Sequence, residues 1–430
     1  MKLGVSLGGL AAMQLVSSLL LQIAILGILG AGEETDAWVA AQAVPLVVFA
    51  VLSVALQGAW QSRLAVAAHD RAQWSTLQRT AQGQLLLTFG IVTAALVATA
   101  FIWVPWVFIG MGAHRSTLTV EMTQLLLVAA LLNGQSALLT TALRARGDFI
   151  APEATALAGS IGTIVLAVLT VPHFGIIAAA WASLLRSALV SMILFHRAGR
   201  PVPSLPAAWH DSQGWRQARP ILVGSSFYKT GPLVDRFWSS LAPAGGMTLF
   251  NFVQMGMGAM ASVLERALCM PVVPTLARSA EACDWIGMRA TYRRSIVRVG
   301  LSSLAILIAL LALRPVWPMI ATPVLKLRAD ALLQSWWLCV LLVGYLFPAA
   351  AGSVVVSSFY ALGDTRTPTR IGIAGFCLSL ALKAGGFLWI GLVGLALATM
   401  AHYLGNMLAM LWILERRIGR LISAPATEQA

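Results

Sequence analysis

Two cations and a carboxylate sit close together in an otherwise weakly charged stretch, Ser225-Ser226-Phe227-Tyr228-Lys229-Thr230-Gly231-Pro232-Leu233-Val234-Asp235-Arg236. Lys229 and Arg236 are seven residues apart, so they are expected to share one helix face. Asp235 lies beside Arg236 and within reach of Lys229 across a bent turn. Gly231-Pro232 lies between them, and a proline there removes a backbone donor and clashes with the preceding turn, so the helix should kink or break. A broken helix bearing charge near the bilayer midplane is the form a transporter's substrate site takes. The same residues also read as a buried ion pair at a hinge. Four further ionisable residues fall inside apolar runs. Glu265 and Arg266 read as a cavity pair or as a snorkelling boundary. Arg186 has no acid nearby in sequence and is expected to face a cavity rather than lipid. Lys383 lies a few residues from a span end, so it reads either as a functional residue or as a snorkelling one.

No pattern for covalent or metal chemistry accompanies them. The six histidines form no HExxH, and Cys269, Cys283, Cys339 and Cys377 show no CxxC or metal-ligand spacing. No catalytic residue, metal or cofactor is expected.

The elements that carry these residues follow from composition. The 430 residues are 59% hydrophobic and 10% charged, with a mean hydropathy of +0.82, too little charge to cover a soluble surface of this size. Apolar runs of spanning length recur from end to end. A span needs roughly 20 residues, and backbone groups in lipid must pair internally, so each run should be a helix. The expected fold is an all-α polytopic membrane protein of about twelve transmembrane helices. Its spans fall near 5–29, 37–62, 84–110, 122–143, 153–172, 176–196, 220–241, 247–273, 296–313, 331–355, 371–389 and 391–414. The net charge of +13 would suggest nucleic acid in a soluble protein. Here it is topology: Lys2, Arg63, Arg144, Arg216, Arg293, Arg366, Arg416 and many others fall on one side of the spans, and only Arg115, Arg314, Lys326 and Arg328 on the other. The positive-inside rule then places both termini in the cytoplasm, with anionic phospholipids as secondary partners and no nucleic acid.

The chain reads as two pseudo-symmetric six-helix lobes, residues 1–200 and 220–420, joined by a polar linker at 201–219 and followed by a tail at 421–430. A repeat supports the division. Ala145-Arg-Gly147-Asp148-Phe-Ile-Ala-Pro152 recurs as Ala361-Leu-Gly363-Asp364-Thr-Arg-Thr-Pro368, at a constant offset of 216. In both copies glycine permits a tight helix exit, aspartate can cap the backbone, and proline starts the next helix at low cost. An even number of spans per repeat gives both lobes one orientation, as in transporters whose site lies between parallel repeats.

Several segments resemble one family in order along nearly the whole chain. Gly30-Ala31-Gly32 with Thr35-Asp36-Ala37-Trp38 and Pro45 is similar to the signature that opens the MviN/MurJ family. Leu233-Val234-Asp235-Arg236, Val273-Pro274-Thr275-Leu276-Ala277-Arg278 and Phe359-Tyr360-Ala361-Leu362-Gly363-Asp364-Thr365-Arg366-Thr367-Pro368 resemble its later motifs. These are lipid II flippases of the multidrug/oligosaccharidyl-lipid/polysaccharide exporter superfamily. The resemblance implies a bacterial inner-membrane flippase for a polyprenyl-diphosphate-linked saccharide, working by alternating access, with a coupling ion as a further candidate partner. The family's cavity arginines on spans one, two and eight read Leu15, Leu21, Phe49 and Met255 here when aligned without gaps. Of the motif only the acidic Asp36 remains. The extra helix pair that forms the family's lipid-tail groove is also not among the spans read here. Lys229, Arg236, Arg186 and Arg266 are then replacement cations for a diphosphate, and the substrate is expected to be lipid II-like or an exopolysaccharide or O-antigen unit. Two alternatives remain open: a cation-coupled multidrug exporter of the same superfamily, and a non-transporting scaffold paralogue. A membrane glycosyltransferase would need a long aqueous loop with catalytic carboxylates, and the outer loops are short.

Overall fold

A computed structural model of the chain describes residues 2–68, 70–325 and 329–423. Lys326 and Arg328 lie outside these residues. The described residues are helical nearly throughout and contain no strand, as a chain in lipid requires, since a helix satisfies its own backbone. In order they are α1 (Lys2–Leu29), α2 (Glu33–Ala67), α3 (Arg71–Leu85), a π-turn (Leu86–Gly90) leading into α4 (Ile91–Val107), α5 (Ala113–Ala145), α6 (Ile150–Phe174) and α7 (Ile177–Arg197). After the short α8 (Leu205–His210) come α9 (Ser212–Lys229), α10 (Gly231–Ser239) and α11 (Gly246–Leu264). A second π-turn (Glu265–Cys269) and a single 3₁₀ turn (Met270–Val272) join α11 to α12 (Val273–Glu281). The chain ends in α13 (Trp285–Ala312), α14 (Trp317–Leu325), α15 (Ala329–Val343), α16 (Leu346–Ala361) and α17 (Arg366–Ser423).

Nine helical segments among the described residues are long and apolar enough to cross a membrane. One of them, α17, folds back at Ile390 (φ −137°) and Gly391 (φ 61°) into two membrane-length arms. With α1 and the interrupted α9–α10 pair, this gives the expected architecture of about twelve helices.

The helices form two compact units, one comprising Met1–Thr248 and one built from Leu249–Pro323 and Leu327–Ala430. The boundary falls after the 201–219 linker because α9 and α10 pack on α2 of the first unit. In that unit α2 packs along α5 through a run of alanines, Ala37, Ala40, Ala41 and Ala43. Small residues let helices approach closely where lipid supplies no hydrophobic drive. The interior of this unit holds clusters of buried residues: Ile25, Trp38, Phe108, Met122 and Val171 near one end, Trp60, Leu64, Trp74, Leu85 and Phe89 near the arginine-rich end, and Leu139, Val190 and Leu194 between α5 and α7. In the second unit Tyr292, Val299, Phe359, Met407 and Leu414 cluster around the alanine-rich α16.

The segment between α7 and α9 does not float free. Ser204 N donates to Arg79 O of α3 at 3.0 Å, and Gln78 Nε2 donates to Ala198 O at 3.2 Å. Arg63 of α2 holds Asp211 with two bonds, at 2.7 and 3.1 Å, while its guanidinium lies 4.1 Å from the Trp60 ring centroid. A Cβ on Gly214 would come 2.3 Å from the Asp211 carboxylate, so glycine is what lets α9 start against this pair.

Both copies of the repeated turn fold alike. Gly147 (φ 85°) and Gly363 (φ 71°) take the left-handed conformation that glycine enters without a Cβ penalty. The bonds Gly147 N to Arg144 O and Asp148 N to Leu143 O, each 3.0 Å, recur as Gly363 N to Tyr360 O at 3.0 Å and Asp364 N to Phe359 O at 2.9 Å. Each aspartate then caps the next helix: Asp148 accepts from Ala151 N, and Asp364 from Arg366 N and Thr367 N. Each also meets an arginine further along the chain, Arg197 at the end of α7 and Arg417 in the second arm of α17. A third pair shares the 216 offset, Gly175 (φ 70°) and Gly391 (φ 61°).

Candidate functional site

Asp36 sits in the first turn of α2, where Glu33, Glu34 and Asp36 all favour the positive end of the helix dipole. Its start is fixed locally, since Thr35 Oγ1 accepts from Gly32 N at 2.9 Å, and Gly30 (φ 75°) ends α1. The Asp36 side chain is only 3% exposed and turns inward. Oδ2 accepts from Gly245 N at 2.6 Å, and Oδ1 accepts from Thr248 N at 2.9 Å and Thr248 Oγ1 at 2.6 Å. Thr248 lies in the first turn of α11 and Gly245 directly precedes it, where N–H groups have no acceptor within the helix. Asp36 therefore caps α11 from a distant helix. Gly245 (φ 87°) is doubly required: a Cβ there would be in a rarely adopted conformation and 2.9 Å from Ala31 O. Sequence spacing carries no sign of this contact between residues more than two hundred positions apart; the glycine pair in Ala242-Pro243-Ala244-Gly245-Gly246 is the one local signal.

The Lys229–Arg236 segment breaks where glycine and proline predict. α9 stops at Lys229 and α10 begins at Gly231. The break places the two cations differently: Lys229 is exposed at the end of α9, whereas Asp235 and Arg236 are buried in α10, at 3% and 7% exposure. Asp235 acts electrostatically on the neighbouring Arg236. The shared face expected from a seven-residue spacing needs an unbroken helix, and this one is interrupted at Thr230.

Arg186 lies partway along α7 beside α6, where its Nη1 donates to Ser160 Oγ at 3.2 Å. It lines a groove with a cavity volume of about 510 Å³ whose other walls are apolar or small side chains. In the second unit Glu265 and Arg266 are successive residues of the π-turn after α11. Glu265 is half-buried and Arg266 exposed, and they form no ion pair with each other or with any other described residue. Lys383 is buried, at 5% exposure, in the first arm of α17 rather than snorkelling outward. The turn residue Asp364 has its carboxyl held below the usual 3.8, first by the Thr367 backbone N–H and further by the Thr367 hydroxyl and Arg417.

At the positions where the family's arginines would fall, Leu21 and Phe49 pack against the interior clusters of the first unit, and Met255 Sδ accepts from Asn251 Nδ2 at 3.7 Å. The side chain of Leu15 lies outside the described residues. In the same unit Lys229 stands at a helix break and Arg186 lines a groove.

The chain is similar to known proteins along nearly its whole length. Residues 25–427 match the model of the family described as lipid II flippase MurJ. A probable lipid II flippase MurJ from Synechocystis sp. is 22% identical over 448 residues, covering 94% of this chain and 80% of that protein. Among solved structures, lipid II flippase MurJ in an inward closed conformation superposes with a TM-score of 0.81 at 14% identity, covering 96% of this chain and 87% of that one. An inward-facing multidrug resistance MATE family transporter of the MOP superfamily gives a TM-score of 0.73 at 16% identity, with 96% of each chain covered. These structures share the fold; the family rests on the sequence match. The chain is a multi-pass membrane protein that belongs to the lipid II flippase MurJ family, a family of transporters rather than enzymes.

Proposed function

We propose that this protein translocates a polyprenyl-diphosphate-linked saccharide across the inner membrane by alternating access. The observation that carries the reading is the match to the flippase family over residues 25–427. The apolar residues at Leu21, Phe49 and Met255 favour a substrate other than lipid II itself, of the exopolysaccharide or O-antigen class, whose diphosphate is met by other cations. Lys229, exposed at the α9–α10 break, and Arg186 are the cations of the first unit best able to take that part, because Arg236 already serves Asp235. Arg266, exposed in the second unit, is a further candidate. Asp36 holds the start of α11 rather than the substrate, since both its oxygens are occupied. Both termini face the cytoplasm in this reading, with the arginine-rich turns against anionic headgroups.

Rescue of a bacterium depleted of its essential lipid II flippase tests the substrate. Failure to rescue, with membrane insertion verified, is the expected result for a divergent glycan. Rescue would place the substrate head close to lipid II and overturn the choice of glycan while keeping the flippase reading.

A further inference from the structure

The groove between α6 and α7 joins two features that are seldom found together. Its walls are apolar and small: Ala158, Gly162 and Leu166 on α6 face Ala182, Leu185 and Leu189 on α7. Among the described residues that line it, Arg186 is the one charged side chain and none is a carboxylate. Arg186 stands roughly 14 Å of helix rise from Ile177 and roughly 17 Å from Arg197, at about 1.5 Å per residue, so it lies near the middle of the membrane-crossing stretch. Its guanidinium donates to a neutral hydroxyl, Ser160 Oγ, which itself donates to Ala156 O. Arg186 is in no ion pair among the described residues. An arginine at this depth is expensive and is normally matched by an opposite charge. Among the described residues none is paired with it.

The α6 face is shaped around this side chain. A Cβ on Gly159 would come 2.6 Å from Val190 Cγ2 and 3.1 Å from Arg186 Cγ, so glycine lets the arginine stem lie flat against α6. One turn along, a Cβ on Gly162 would meet nothing within 4 Å, which leaves the groove floor open. The volume falls within the range of small-ligand sites.

We propose that this groove is a transit site for the lipid-linked substrate, in which Arg186 pairs with the diphosphate and the prenyl chain lies along the Ala158–Gly162–Leu166 floor. The inference rests on the flippase reading given above. Charge complementarity selects a phosphate, and a guanidinium fork matches its oxygens with two parallel bonds. Depth selects the lipid. A resident phospholipid keeps its phosphate at the headgroup level, about 15 Å from the bilayer centre, and a phosphate arrives beside Arg186 only when it is carried across. The walls select the tail, because they offer an isoprenoid chain contact without polar competition.

The test is a titration of the purified full-length protein in nanodiscs with a polyprenyl diphosphate, the matching polyprenyl alcohol and phosphatidylglycerol, read by native mass spectrometry. The wild type should bind the diphosphate at least tenfold more tightly than the alcohol. Arg186→Gln, which keeps a donor for Ser160, should lose at least tenfold in diphosphate affinity. Arg186→Lys should recover part of it. Gly162→Phe, which fills the floor and leaves the charge in place, should weaken binding similarly. Equal diphosphate binding by wild type and Arg186→Gln would overturn the transit site and leave the flippase reading standing. Arg186-dependent binding of phosphatidylglycerol without diphosphate selectivity would overturn it in favour of a resident lipid. No diphosphate binding by the wild type would overturn both.

Discussion

Removing the Asp36 carboxylate should unfasten the start of α11, and the structure sets the size of the effect. Asp36→Ala strips an acceptor from three buried donors, Gly245 N, Thr248 N and Thr248 Oγ1, held at 2.6 to 2.9 Å. A buried donor left without a partner costs about 1–3 kcal/mol. The threonine hydroxyl can rotate toward another acceptor, whereas the two backbone N–H groups cannot, so the loss should be about 2–6 kcal/mol, with the centre at about 4. Asp36→Asn should cost less, about 1–3 kcal/mol, because one oxygen still serves Thr248 while the new amide faces Gly245 N–H donor to donor. The assay is unfolding of the purified protein in mixed micelles titrated with a denaturing detergent, run on Asp36→Ala, Thr248→Val and the double variant. The pair should show a coupling of about 1 kcal/mol or more, since residues sharing a hydrogen bond are not additive. Additive effects, or an Asp36→Ala variant within about 0.5 kcal/mol of wild type, would refute the cap.

Three further outcomes follow from single sites. Gly394→Ala places a Cβ 1.8 Å from Gly386 O where the arms of α17 meet, and should cost about 3 kcal/mol or prevent folding, whereas Gly385→Ala, with nothing within 4 Å, should be neutral or slightly stabilising in the same unfolding assay. Arg236→Ala leaves Asp235 buried beside a lost cation and should cost about 3–5 kcal/mol, while Lys229→Ala at an exposed helix end should change stability by less than about 0.5 kcal/mol and act on transport alone; transport by folded Lys229→Ala at the wild-type rate would remove Lys229 from the substrate path. Asp364 has a folded pKa below its unfolded value, so its contribution to stability is complete above about 4 and is lost as the pH falls through the folded value. Between about pH 7 and pH 3, the thermal midpoint of Asp364→Asn should fall less steeply than that of wild type, and parallel curves would contradict the assignment.

The spans, the twin turns and the kink at Gly231-Pro232 were legible in the sequence because each rests on local physics. Hydropathy over a membrane thickness sets the helices, a glycine that must enter the left-handed region ends α5 and α16, and a proline interrupts α9–α10. The relation of Lys229 to Arg236 was misjudged for a physical reason: helical periodicity carries a face only as far as the helix is continuous, and this one ends at Lys229. The linker was read as a polar spacer over 201–219, yet α9 already begins at Ser212, and Asp211 is tied to Arg63 on a helix far away in sequence. The cap formed by Asp36 is of the same kind. Its donors are two backbone amides and a hydroxyl, groups that every chain possesses, so nothing in their residue types marks them. Lys383 and Arg186 illustrate a further limit, since hydropathy places a charge at membrane depth without saying whether a neighbouring helix shields it.

The central claim is transbilayer movement of a polyprenyl-diphosphate-linked saccharide. Vesicles reconstituted with the purified protein and carrying a fluorescent lipid of this class in one leaflet measure it directly, through the rate at which label becomes accessible from the other side. The account predicts movement well above that in protein-free vesicles and slowed at least tenfold by Arg186→Gln. Movement no faster than in protein-free vesicles, with the protein shown to be folded and inserted, would contradict it.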